Sequence, residues 1–276
     1  MGYDPYFLST ETKTPLPTLR AEAREDAWDG GRVVHHPHFS LVMNRQRRLA
    51  AYTAHNIDGG RLVSVSSGGG WKLDEQVPGE LQAGGDVYVD NPWDRGHLVR
   101  RAAVVWGPIA EAREANRATY IYTNAAPQHQ NFNRDEWVHL EDWVLHHADE
   151  DNYRVCVFTG PVFREDDVAY RGIQIPGGYW KVVVRMLADG TLSHTCFFMK
   201  QSEFWQDLRG RRILDLEVYQ LPVVEIEALT GLGFVDDAGV LEEPVLGAMA
   251  TIEAMPRRSL EAAPWPVIRC PRDLVI

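Results

Sequence analysis

Apolar and polar positions along this chain write out mostly strands. Short apolar, β-branched and aromatic runs occur at residues 39–43, 49–55, 153–160, 180–187 and 192–200, separated by turn residues such as Asp189-Gly190. They predict a largely antiparallel sheet, with the first two runs paired as a hairpin around an arginine-rich turn. An alternating run at 86–90 and an apolar run at 119–122 predict two further strands. Helical spacing is found at 18–28, at 108–115 with proline in the first turn, from Asn133 to about His147, at 202–210 and at 224–229. In the helix after Asn133 the residues Trp137, Leu140, Val144 and Leu145 share a face, and Asn133 followed by Glu136 predicts an N-cap with a capping box. The fold class is α+β, a largely antiparallel central sheet with flanking helices. Residues 1–31 read as a proline-bearing arm that ends in the first helix and Gly30-Gly31, packed across the domain or against a second subunit. Residues 242–276, with Pro244, Pro256, Pro264, Pro266 and Pro271, read as irregular packing over the core.

Two polar clusters interrupt this pattern. The first runs from Asn91 to Arg101 and places a carboxylate, a guanidinium, a glycine and an imidazole at Asp94-Arg95-Gly96-His97. Alone it reads equally well as a solvated turn. The second runs from Thr123-Asn124 through Pro127-Gln128-His129-Gln130-Asn131-Phe132-Asn133 to Trp137 and Leu140-Glu141. Together they flank one strand, strand, helix unit. His97 has the residue type of a general base, because a neutral imidazole is available near neutral pH. Asn133 offers an amide oxygen that suits a hard divalent cation, and Arg95 is suited to charge that develops on phosphate oxygens.

The clusters resemble the signature of the DNA/RNA non-specific endonucleases, the ββα-metal nucleases. The similarity continues through residues 157–163 and 175–183, and more faintly to 227–234, so that it covers roughly residues 35 to 235 in order. Four ordered motifs are far more specific than the first alone. The resemblance implies a ββα-metal unit over 86–148 within a single nuclease domain, 1–276, that hydrolyses phosphodiester bonds in DNA and in RNA as a second substrate. It implies Mg²⁺, or Mn²⁺ in its place, held by Asn133. Glu141 corresponds to an acid that acts on the cation's water; direct ligation together with Asn133 would require the helix start to unwind. The catalytic set is then His97, Arg95, Asn124 and Glu141, with Asn124 holding either the histidine ring or the strand ends, and Asp94 in a structural ion pair. Arg45 and Arg48 are alternative substrate contacts ahead of the second strand, and Arg100 and Arg101 could add phosphate contacts. One departure stands out: Leu145 occupies a position, four residues after Glu141, where the family often carries a basic residue.

Composition narrows the reading. A formal net charge of −11 excludes a uniformly basic nucleic-acid-binding surface but leaves room for a local groove, since arginines cluster at 45–48, 95–101 and 209–212. The last cluster is read as a solvated face. Three cysteines, Cys156, Cys196 and Cys270, are too scattered for a disulfide framework, and the first two read as small buried apolar groups. No run approaches a membrane span and no signal-peptide pattern is visible, so a cytoplasmic location is expected. A nuclease in that compartment calls for restraint, by an inhibitor, an upstream activator or a homodimer. His35, His36 and His38 read as a surface loop, and residues 68–70 as loop glycines without the lysine of a phosphate-binding loop. The competing reading is a catalytically silent nucleic-acid-binding or regulatory module of the same fold.

Overall fold

A computed structural model describes residues 2–130, 133, 136–150, 153–201, 218–234 and 267–268. Its strands are β1 (Thr18–Leu19), β2 (Val33–His36), β3 (Phe39–Asn44), β4 (Leu49–Asp58), β5 (Trp93–His97), β6 (Ala125–His129), β7 (Arg154–Val162), β8 (Val168–Tyr170), β9 (Ile173–Ile175), β10 (Gly178–Met186), β11 (Leu192–Lys200), β12 (Val218–Gln220), β13 (Leu232–Gly233) and β14 (Val267–Ile268). The α-helices are α1 (Ala21–Asp26), α2 (Ile109–Ala118), α3 (Glu136–Glu150) and α4 (Val223–Thr230). The predicted helix at 202–210, the arginines at 209–212, Cys270 and all of the 242–276 tail except β14 lie outside the described residues.

Eight strands form one antiparallel sheet in the order β14-β12-β11-β10-β7-β4-β3-β2. The period of two along β10 divides the protein into two layers. Trp180, Val182 and Val184 face a core built with Tyr52, Phe158, Phe198, Tyr3 of the N-terminal arm and Ile226 of α4. Tyr179 and Val183 face the other way, toward Leu41, Met43, Phe197, Leu98 and Val99, and toward Trp137 and Leu140 of α3. Burying an aromatic side chain of this kind contributes roughly 1.5–3 kcal/mol. Trp137 and Trp180, on opposite faces of the sheet, are both almost fully buried. The arm crosses the first layer, where Tyr3 N donates to Ser40 Oγ (2.9 Å), Asp4 N to Asn56 Oδ1 (2.7 Å), and β1 pairs with β13.

The strand, strand, helix unit is present, but its strands are not the predicted ones. The run 86–90 forms no strand: residues Gly85–Tyr88 make a 3₁₀ turn, and Asp90 has φ 52°. Val87 and Tyr88 are adjacent and both buried while Val89 is 49% exposed, which a strand's alternation does not allow. The strand is instead the polar motif itself, β5. Likewise 119–122 contributes one isolated bridge, Ile121 with Lys72, and the partner strand begins later, as β6. β5 and β6 pair antiparallel, with Asp94 opposite Gln128 and Gly96 opposite Ala126. At Gly96 a Cβ would stand 2.1 Å from Oε1 of the buried Gln128, so a larger residue there would have to displace that side chain.

Three other expectations are corrected. Asn133 is not an N-cap: Gln130 and Asn133 are already helical, and its amide is used elsewhere. α3 continues past His147 to Glu150. The histidines at 35–38 are not a surface loop. His35 and His36 belong to β2, His36 Nε2 lies 2.9 Å from Asp74 Oδ2, and buried His38 stacks on Trp106 with ring centroids 3.6 Å apart.

Candidate active site

β5 carries Asp94, Arg95 and His97 in five residues, and successive positions point to opposite sides of the strand. Arg95 and His97 therefore share a side. The imidazole is walled by aromatic rings, Trp71 at 4.7 Å between centroids and Tyr120 edge-on at 5.3 Å. Burial, and then the positive charge of Arg101, push its pKa down to about 4. It is neutral at pH 7, and its buried Nε2 has no hydrogen-bond partner in the protein. The Arg95 guanidinium lies over the Tyr88 ring at 5.5 Å, and its Nε is also buried without a partner. Two unpartnered polar atoms on one side of a short strand are what a site awaiting a polar ligand leaves behind.

Asp94, on the alternate side, joins the strand to the helical segment, where Asn133 Nδ2 donates to Asp94 Oδ2 at 3.1 Å. An ionised carboxylate only accepts, so the amide must present its nitrogen to Asp94 and turn Oδ1 away. That leaves an oxygen donor of the kind Mg²⁺ and Mn²⁺ take, and the residue fits a hard cation. Among the described residues no three or more His, Cys, Asp or Glu side chains cluster as a metal cage.

Asn124 is committed to the backbone. Its Oδ1 accepts from Val99 N (2.8 Å), and its Nδ2 donates to Val99 O and Thr119 O (both 3.1 Å). Leu98 N donates to the Asn124 carbonyl at 3.0 Å. Of the two roles considered for it, these bonds serve the strand ends.

A profile of the family described as DNA/RNA non-specific endonuclease matches residues 22–240. The chain belongs to the DNA/RNA non-specific endonuclease family. It is 36% identical over 260 residues to the uncharacterized protein y4fB of Sinorhizobium fredii, covering 86% of this chain but only 39% of y4fB. It is 23% identical to a Nostoc nuclease, covering 72% of this chain and 71% of that one. With human mitochondrial endonuclease G it shares 25% identity, over 60% of this chain and 56% of the relative. A crystal structure of the EndoG/EndoGI complex has the same fold, with a TM-score of 0.60 over 76% of this chain and 89% of that chain, at 22% identity.

The remaining family positions fall into two groups. Glu141 is buried on α3, with Lys181 Nζ of β10 3.4 Å from its Oε1, and the same ammonium donates to Thr159 Oγ1 at 2.9 Å and lies 4.7 Å from the Trp137 ring centre. Burial raises the carboxyl pKa and lowers that of the ammonium, each against the attraction of the other. Nearby His55, also on the sheet, is held well below the ordinary histidine value by burial and by Lys181. The arginines are mostly engaged: Arg100 with Asp142 Oδ1 (2.6 Å), Arg101 with Val65 O and Asn116 Oδ1 (both 3.4 Å). Arg45 reaches Glu25 O at 3.4 Å and Arg48 reaches Gln82 O at 2.8 Å, and neither bond leads to β5, β6 or α3. The sequence reading missed Lys181, Trp71 and Tyr120. The one available signal was a lysine placed in step with Tyr179 and Val183 in an apolar strand, an inward position for a charge.

Proposed function

We propose that this chain is a divalent-cation-dependent endonuclease that hydrolyses phosphodiester bonds in DNA, and in RNA as a second substrate, with little sequence preference. The observation that carries the reading is the neutral His97, its Nε2 unpartnered, three residues from the Asp94 that orients Asn133. His97 Nε2 takes a proton from the attacking water. Arg95 neutralises charge that builds on the non-bridging oxygens. A Mg²⁺ or Mn²⁺ ion held by Asn133 Oδ1 would supply Lewis-acid charge to the phosphate and the departing 3′ oxygen. Glu141 of α3 would act on that ion's water and not ligate the ion itself. Arg101, whose charge acts on His97, and Arg100, three residues along the chain from it, are the candidates for phosphate contacts.

The test is plasmid cleavage by the purified chain with Mg²⁺ or Mn²⁺, abolished by chelation and by His97→Ala. Folded protein that leaves plasmid intact with either ion would sink the proposal. A His97→Ala variant that still cuts would remove its general base. The fold shared with EndoG in a complex that describes EndoG inhibition supports a further element of the proposal, a protein inhibitor that restrains the activity.

A further inference from the structure

Trp137 and Glu141 stand at i and i+4 of α3, so they share the face of the helix that lies on the sheet. Beneath both is Lys181, in the middle of β10 and directly opposite Thr159 of β7, which in turn stands opposite Thr53 of β4. Thr53, Thr159, Lys181 and Glu141 are all buried. A polar strip across the centre of a sheet is not what packing alone selects. A buried ion pair is also a poor device for stability, because desolvation offsets its attraction and apolar replacements of the same volume commonly leave a fold as stable or more so. The Lys181–Glu141 pair therefore calls for a use other than holding the core together.

The other cation near Glu141 is Arg100, whose guanidinium is tied to Asp142 at the surface. Lys181 is fixed on three sides, by Glu141, Thr159 and the Trp137 ring. We propose that Lys181 is a positioning residue for Glu141: it anchors Oε1 to the sheet so that the second carboxylate oxygen faces the hydration sphere of the cation at Asn133. The inference rests on the nuclease reading above and deepens it.

The experiment uses the full chain and the variants Lys181→Met, Lys181→Arg, Glu141→Gln and the double variant Glu141→Gln/Lys181→Met. Mn²⁺ affinity by calorimetry, kcat and KM on a duplex oligonucleotide, and thermal unfolding are measured on each. Lys181→Met is expected to lower kcat and Mn²⁺ affinity roughly 10- to 100-fold, as loss of a ligand's supporting partner does. KM for the duplex should change by less than about threefold, since Lys181 touches no substrate. Lys181→Arg recovers part of the loss. Where Lys181→Met alone folds poorly, the double variant removes both charges, and its kcat should match that of Glu141→Gln because the lysine acts through the acid. Additive losses in the double variant, or a Lys181→Met protein with lowered melting temperature but unchanged Mn²⁺ affinity and kcat, would overturn the inference alone. A wild-type chain that neither binds Mn²⁺ nor cuts would overturn the nuclease reading and this inference with it.

Discussion

At the residue scale the decisive group is an imidazole kept neutral by its surroundings. The pKa of His97 is pushed from the ordinary 6.5 to about 4, first by burial and then by Arg101. Between those values the unfolded chain binds the proton that the folded protein does not. The contribution of this group to stability is thus complete above pH 6.5 and is lost as pH falls toward 4. If His97 is the base proposed above, the same shift keeps it competent in mild acid. The acid limb of kcat/KM should lie near pH 4–5, and Trp71→Ala, which admits water to the ring, should move it up toward 6.5. A wild-type limb at or above 6.5 would refute this account of the site. Asp94 offers a second check. Asp94→Asn keeps the size but no longer compels Asn133 to present its nitrogen, so Mn²⁺ affinity should weaken roughly tenfold while the melting temperature stays close to wild type. Unchanged affinity, read by calorimetry, would mean that the amide is oriented by something else.

At the element scale the site depends on a two-stranded ribbon too short to hold itself. β5 and β6 have five residues each, and an isolated two-stranded ribbon is marginal in water. Asn124 supplies what the ladder lacks, three side-chain bonds from a fully buried amide to the chain just past His97 and to Thr119. Asn124→Ala orphans those backbone groups and should cost about 3 kcal/mol in urea unfolding. A loss below about 1 kcal/mol would show that water replaces the amide. This dependence also explains what the sequence could reveal. β3, β4, β7, β10 and β11 were legible as apolar, β-branched and aromatic runs because the sheet is buried on both faces. β5 was hidden because its residues are polar and carry no apolar alternation, whereas the neighbouring 86–90 run imitates that alternation with two adjacent buried residues. His97, Asn133 and Glu141 were visible as motif. Lys181 lay inside the 175–183 motif without a role, since its meaning comes from a partner 40 residues away in sequence and from the side of the sheet on which it lands.

At the scale of the whole molecule the net charge of −11 sets an electrostatic problem for a protein proposed to grip a polyanion. Several basic side chains that might form a groove are already engaged: Arg100 by Asp142, Arg47 by Asp167, Arg20 by Glu227 and Lys181 by Glu141. Among the described residues, Arg95, held by a ring, and Arg101, held at 3.4 Å by neutral oxygens, remain beside β5. A site of this kind takes hold of a few phosphates next to the scissile bond and releases the rest of the duplex, as suits an enzyme that must leave its product. Affinity should then fall only gently with salt. With two to four phosphates neutralised, the slope of log K against log salt should be about −2 to −4 for duplex DNA. The measurement uses His97→Ala, which binds without cutting, titrated by fluorescence anisotropy between low and moderate NaCl in the presence of Mg²⁺. A slope near −8 would require a long basic track and would contradict the local grip drawn here, and no measurable binding at low salt would mean that these arginines do not hold duplex DNA even with the cation present.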